Sequence, residues 1–249
     1  MEWTDRGIVI GVRKHGESSA IVELLTAGHG RHLGLVHGGS GRRQRGNLQP
    51  GNGVDATWRA RLAEHLGSYR IELRQATAAS LLGEPDRLAC LSAACAMASL
   101  VLPEREAHPA VYDALNTVID ALVSRELDWR VWAAVYVRWE VGLLRELGFG
   151  LDLERCAVTG TRDNLGYVSP RTGCAVSVEG AGGYRDRLLE LPPFLINHGY
   201  SGIAARHIQQ GFKLTGFFIT RHVLEPHSWT MPPARGRFAD RALKFPDSG

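Results

Sequence analysis

Over the first eighty residues apolar and polar positions come in short, partly alternating runs; beyond Leu81 the period lengthens to that of a helix. "RGIVIGVRK" (Arg6–Lys14), "SAIVELLT" (Ser19–Thr26), "RHLGLVHG" (Arg31–Gly38), "GVDATWRARL" (Gly53–Leu62) and "SYRIELRQAT" (Ser68–Thr77) are rich in β-branched residues, as half-buried strands are. The runs "AGHG" and "GNG" between them tolerate the positive φ of tight turns. Five such strands predict a compact β-barrel, for which the OB-fold is the common nucleic-acid-binding solution.

The helical part begins with "EPDRLACLSAACAMASLVL" (Glu84–Leu102). "HPAVYDALNTVIDALVS" (His108–Ser124) follows, with Pro in its first turn and apolar residues at Val111, Leu115, Val118, Ile119 and Leu122. "DWRVWAAVYVRWEVGLLRELGFG" (Asp128–Gly150) carries Asp128 as N-cap and Gly148 at its stop. Residues 152–183 are rich in Gly, Thr, Ser and Asn, with "YVSP" and "CAVSVEG" as short strands of a β-ribbon. "YRDRLLELPPF" reads as helical again up to its prolines, and "ARHIQQGFKLTGFFITRHVLE" (Ala205–Glu225) as a last helix before a frayed, Pro-rich tail. The expected class is α+β: a five-stranded OB barrel over 1–80, a helical bundle over 81–150, a ribbon insert over 151–184, helices over 185–230 and a flexible tail over 231–249.

Charge sharpens the picture. The 249-residue chain has a net charge of +3, yet residues 1–80 alone carry +4 and the remainder −1. The excess positive charge therefore belongs to the barrel and favours an anion-binding surface there. Four cysteines do not make a disulfide framework, and Cys90 and Cys95 read as small buried apolar residues. A signal segment and a long uncharged apolar run are both lacking, so the expectation is a cytoplasmic protein without a membrane partner.

The stretch "HGGSGRRQRGNLQPGNGV" (His37–Val54) holds three arginines and no acid. It lacks the Gly-Lys-Ser/Thr ending of a phosphate-binding loop, and "GHGRHLG" (Gly28–Gly34) is one residue too long for a dinucleotide fingerprint. No H-E-x-x-H or G-x-S-x-G motif occurs, so no catalytic residue is assigned and a non-enzymatic protein is expected. Arg42, Arg43 and Arg45 instead stand as phosphate contacts, joined by Arg13, Lys14, Arg31, His32, Arg59 and Arg61 on neighbouring strands. Trp58 and Tyr69 are the candidates for base stacking, Trp58 being equally suited to fill the barrel. The same surface would suit RNA, and a barrel that binds only protein is a further alternative.

Several segments, in this order, resemble the bacterial recombination mediator family RecO. They are "GIVIGVRKHGESSAIVELLTAGHGRHLGLVHGG", "GNLQPGN", "EVGLLRELGFGLDLERCAVTG", "YVSPRTGCAVS" and "LLELPPFL", with "LLRELGFGLDLERC" the most specific. The resemblance implies an N-terminal OB-fold, a helical domain and a zinc-ribbon-like element within it. It also implies binding of single- and double-stranded DNA, annealing of complementary strands, and association with the nucleoid. With RecR such a protein helps load RecA onto DNA coated with single-strand-binding protein; RecF stands as a further candidate partner.

The resemblance further implies that the helical domain receives the acidic, Phe-ending tail of single-strand-binding protein. On the helix Asp128–Leu147, Val131, Val135, Trp139, Leu143 and Leu147 form an apolar stripe, and helix geometry selects Arg138 and Arg145 for the tail carboxylates. Zinc-binding relatives carry C-x-x-C twice. Here the spacings read Cys156-Ala-Val-Thr159 and Cys174-Ala-Val-Ser177, and two hydroxyls replace two thiolates. The expectation is therefore no cofactor and no zinc, the nearest histidine, His198, lying outside the ribbon.

Overall fold

A computed structural model describes residues 1–197 and 199–244, with Arg43 described by its backbone alone. The chain divides into two compact units, Met1–Arg125 with Pro232–Arg235, and Glu126–Met231 with Gly236–Gly249.

Five strands build the first unit: β1 (Glu2–His15), β2 (Ser19–Thr26), β3 (Gly30–Val36), β4 (Gly53–Arg59) and β5 (Ser68–Gln75). They close into a barrel in the order β1-β2-β3-β5-β4, with β4 returning to β1 and only the β3–β5 seam parallel. This is the OB arrangement the alternation predicts. Inward positions Val9, Val22, Leu24, Val54, Ala56, Trp58, Tyr69 and Ile71 pack into one core. Trp58 also donates its Nε1–H to the Leu66 carbonyl at 2.9 Å, which satisfies the polar edge of a buried indole.

Between β3 and β4 the expected basic loop is a short helix, α1 (Arg42–Asn47). The residue after it, Leu48, is 2% exposed and completes the barrel core. Asn52 fixes this geometry from a buried position. Its Nδ2 donates to the Gly46 and Asn47 carbonyls at 3.1 and 3.0 Å, and its Oδ1 accepts from the Ala78 N–H at 3.0 Å. Both carbonyls belong to the C-terminal end of α1, where the helix itself supplies no partner.

Outside the barrel lie α2 (Thr77–Ser80), α3 (Pro85–Val101) and α4 (Pro109–Val123). The middle of β1 is buried on both faces, because Ile8 and Ile10 point outward under α3. Cys90 and Cys95 on α3 are buried thiols, as a small apolar reading requires, and burial pushes Cys95 up to about 12. Arg87 on α3 donates to the Ala121, Leu122 and Ser124 carbonyls at 3.3, 2.7 and 2.8 Å, a cation closing the C-terminal end of α4.

In the second unit, Asp128 caps α5 (Trp129–Glu146) by accepting from the Arg130 N–H at 2.9 Å. The ribbon comprises β6 (Leu165–Val168), β7 (Ala175–Ser177) and β8 (Leu189–Glu190) in the order β7-β6-β8, with a helical turn α6 (Val178–Ala181) after β7. α7 (Ala205–Phe218) packs on α5, then winds on as a wider turn over Ile219–Leu224. At their contact, the fully buried Glu140 accepts from the Tyr136 hydroxyl at 2.9 Å and the Thr215 hydroxyl at 2.5 Å.

Three further expectations change. "YRDRLLELPPF" is not helical to its prolines: a 3-10 stretch, Gly182–Arg187, leads into β8, which supplies the ribbon's third strand. Within the tail expected to fray (231–249), Pro233–Ala242 forms α8, whose Phe238 is fully buried edge-on to Tyr136 at 5.1 Å and to Phe212 at 5.2 Å, and residues 245–249 lie outside the described residues. The buried face of α5 also differs from the predicted stripe: Val131 and Leu147 are only half-buried, and Trp132, Tyr136 and Leu144 join Val135, Trp139 and Leu143, because α7 and α8 cover that side. No described helix is long and apolar enough to cross a membrane.

Gly51, in the turn that follows α1, has φ +90, and a Cβ there would sit 2.4 Å from Leu91 Cδ2. Gly51→Ala therefore combines backbone strain with a core clash, and a stability loss of about 2–4 kcal/mol is expected, measured by denaturant unfolding as a lower midpoint at unchanged slope.

Candidate nucleic-acid interface

The hairpin of β1 and β2 carries exposed Arg13 and Lys14 near its tip. Successive strand residues point to opposite faces, and the two cations part accordingly. Lys14 lines a cleft of about 500 Å³ beside α1, whose walls include Arg45, Ser40, Gln49 and the hairpin carboxylate Glu17. Arg42 lies one helical turn before Arg45, on the same side of α1. Lys14, Arg42 and Arg45 form no ion pair among the described residues. The side chain of Arg43 lies outside the described residues.

Arg13 faces a second recess, which Glu23, Arg31 and Glu104 share. There Arg31 is engaged on every side. Its Nη1 meets Glu23 Oε1 at 2.5 Å, its Nε donates to the Leu102 carbonyl at 2.6 Å, and its Nη2 lies 3.6 Å from Glu104. Ser99 donates to the other Glu23 oxygen at 2.7 Å. Arg31 therefore serves the packing of the barrel on the following segment, which removes it from the phosphate-binding set. Arg59 is exposed but paired with Glu2 at 2.8 Å, a surface bridge that a phosphate can compete for. Arg61 is exposed beyond β4.

Three further candidates are interior. Trp58 and Tyr69 are 2% and 5% exposed, so neither presents a face on which a base can stack. His32 is 3% exposed, and its Nδ1 lies 3.0 Å from the Leu33 carbonyl and 3.1 Å from the Tyr69 hydroxyl. Burial, aided by the positive charge of Arg105, pushes its imidazole down to about 4, so it is neutral at physiological pH. At the barrel mouth Trp3 is half-buried between rings, stacked on His29 at 4.0 Å and 5.7 Å from Trp58. Burial raises the Asp5 carboxyl, but hydrogen bonds from His29 and the Gly28 N–H outweigh it and hold it below its usual value.

In the second unit the two candidate arginines on α5, Arg138 and Arg145, differ. Arg138 is a clamp: its guanidinium donates to the Phe194 and Asn197 carbonyls and lies over the Tyr200 ring at 4.3 Å. That use removes it from tail docking as a free fork. Arg145 is exposed and lines a groove of about 860 Å³ with Arg162, over a floor that includes Val141, Leu151, Leu195 and Ile196; Asp152 and Glu154 stand at the same groove. Arg162 is a residue the sequence reading missed, since only the ribbon's folding brings it to α5.

At the ribbon's degenerate positions, Cys156 Sγ accepts from the Ser177 N–H at 3.1 Å and from the Val158 and Thr159 N–H groups at 3.4 Å. Thr159 Oγ1 and Ser177 Oγ lie 3.4 Å apart, and Ser177 Oγ accepts from the Gly180 N–H at 3.0 Å. Burial raises the Cys156 thiol, yet these donors outweigh it and bring it to about 6. Cys174 is half-buried, with its thiol directed to the Thr172 carbonyl at 3.7 Å. Hydroxyls engaged with one another and with the backbone do not fit tetrahedral zinc. His198 lies outside the described residues, among which no group of three or more His, Cys, Asp or Glu is placed to hold a metal.

An OB barrel with cations gathered at one cleft, on a chain that continues into a helical, ribbon-bearing unit, defines an OB-fold protein of composite architecture. The chain belongs to the recombination protein O family. The model described as "Recombination protein O N terminal" matches residues 1–76, and "Recombination protein O C terminal" matches residues 82–230. It is similar to the DNA repair protein RecO of Rhodospirillum centenum, at 54% identity over 98% of this chain and 96% of that one. The DNA repair protein RecO of Rhodospirillum rubrum is 51% identical over 98% of both chains.

His32 gives a pH test of the buried cluster. Its folded value, about 4, lies below the ordinary 6.5, so the unfolded chain takes up the proton first as pH falls. The stability it contributes is full above pH 6.5 and drains as pH drops toward 4, by about 3 kcal/mol across that window. Urea unfolding as a function of pH is expected to show this loss, and His32→Gln to flatten it.

Proposed function

We propose that this chain acts in DNA repair by holding the phosphate backbone of single- and double-stranded DNA on the barrel and bringing complementary strands together. The observation that carries this reading is the placing of Lys14 and Arg45 at one cleft, with Arg42 one helical turn before Arg45 on the same side of α1 and none of the three in an ion pair among the described residues. Exposed Arg13, Arg59 and Arg61 are further barrel cations, Arg13 at the separate recess beside Glu23 and Arg59 paired with Glu2, and Arg43 is a third arginine in the α1 segment. Each phosphate neutralised releases condensed counterions, so several moderate contacts give a useful and salt-sensitive affinity. Neutralising two strands at once lowers their mutual repulsion. Annealing by this route needs neither an active site nor a nucleotide cofactor. Family membership supports the wider assignment, in which RecR, and RecF as a further candidate, work with this chain to load RecA onto DNA coated by single-strand-binding protein.

The Arg145–Arg162 groove is the proposed seat for that protein's acidic, Phe-ending tail: an apolar floor suits the ring and two guanidinium groups suit carboxylates. Asp152 and Glu154 at the same groove limit how many acids the tail can place there. The ribbon is proposed to stand without zinc, held by the hydrogen bonds around Cys156 and Ser177.

The triple variant Lys14→Ala, Arg42→Ala, Arg45→Ala is expected to weaken binding to strands and duplexes of any sequence. In a fluorescence anisotropy titration against salt, its log–log slope should be shallower by about 2–3. An unchanged affinity and slope would overturn the assignment. For the groove, Arg145→Ala with Arg162→Ala is expected to reduce binding of a synthetic acidic Phe-terminal peptide about tenfold or more by calorimetry, whereas Lys14→Ala leaves it unchanged.

A further inference from the structure

We infer that the cleft between α1 and the β1–β2 hairpin takes one unpaired nucleotide of a DNA strand, base inward and phosphate at the rim. This makes the cleft the element that tells a single strand from a duplex. The inference rests on the DNA-binding reading above and adds to it the structural class of the ligand.

The cleft has the make-up of such a site. Its volume, about 500 Å³, falls in the range of small-ligand pockets. The lining mixes polar and apolar groups: Leu48 and Ala20, each 2% exposed, reach it only from the barrel core, while Val12, 42% exposed, offers its methyl groups beside exposed Pro50 as an apolar shelf. Val12 lies on an outward face of the barrel, where an exposed β-branched residue has no core to fill.

The rim carries charge from two separate elements, Lys14 on the hairpin and Arg45 on α1, so a phosphate is met from two sides. Glu17 repels a phosphate, but it can accept from the exocyclic amines of adenine or cytosine, and Gln49 brings both donor and acceptor groups to the wall. A purely phosphate-binding surface has no use for that apolar shelf or that acid; a nucleotide uses both.

The walls are also held. Ser40 donates its hydroxyl to the Ser19 carbonyl at 2.7 Å and its N–H to the Ser18 carbonyl at 2.9 Å. Gln49 Nε2 donates to the Arg45 carbonyl at 2.7 Å. At Gly39 a Cβ would come within 2.9 Å of Ala20 Cβ, so that wall is bare backbone pressed against β2. A base already unstacked enters this space at little cost. A paired base must first leave its stack, and a duplex therefore reaches only the cations at the rim.

The test compares three probes with equal numbers of phosphates: a mixed-sequence single strand, an abasic strand, and a duplex of half that length. Full-length wild type is expected to prefer the single strand over the abasic strand by about fivefold, less than an aromatic platform would give. Val12→Gln, which keeps the charge and lies on the exposed face, should bring the single strand down to the abasic affinity and leave the duplex unchanged. Lys14→Ala with Arg45→Ala should weaken all three. If wild type binds the abasic strand as tightly as the base-bearing one, or Val12→Gln weakens strand and duplex alike, the cleft holds phosphate only and this inference fails while the DNA-binding reading stands. If none of the probes is bound at moderate salt, both readings fail together.

Discussion

A closed barrel has to be filled, and the rest of the first unit follows from that constraint. With five strands the interior is narrow, and packing to the density of a protein core leaves no room for water or for idle polar groups. Trp58 and Tyr69 supply the large volumes, His32 accepts a neutral state to share the space, and Leu48 closes the end beside α1. Burying Leu48 draws in the chain around it. Arg45, which cannot follow it inside without partners, is left exposed at a cleft.

The same constraint explains why residues of one type have different duties. Arg31 and Arg45 look equivalent in a count of positive charge. Arg31 lies where the barrel meets the segment after α3, and desolvation there demands Glu23, the Leu102 carbonyl and Glu104 around it. Arg45 sits on a solvated helix that no acid approaches within ion-pair distance among the described residues. On α5, Arg138 and Arg145 divide in the same way: the first is engaged by the Phe194 and Asn197 carbonyls at and after the 3-10 turn Pro193–Leu195, and the second is exposed at a groove. In the ribbon, backbone N–H groups converge on the Cys156 sulfur, a geometry that steadies a turn without calling on the hydroxyls at Thr159 and Ser177 as ligands.

Periodicity and turn chemistry alone determined much of this protein. The two-residue alternation set the five strands within a few residues of their ends, Asp128 and Gly148 bracketed α5, and the charge excess pointed to the barrel. Such signals are local, written into neighbouring residues by φ preference and side-chain spacing. What the tertiary structure alone decided is which face each residue shows. Whether Trp58 fills a barrel or greets a base depends on closure across β1 and β4. The order of Phe238 depends on rings brought from α5 and α7, and the pairing of Arg162 with Arg145 depends on the ribbon's return. Burial and partner choice are properties of residues far apart in the chain, so no window of sequence contains them.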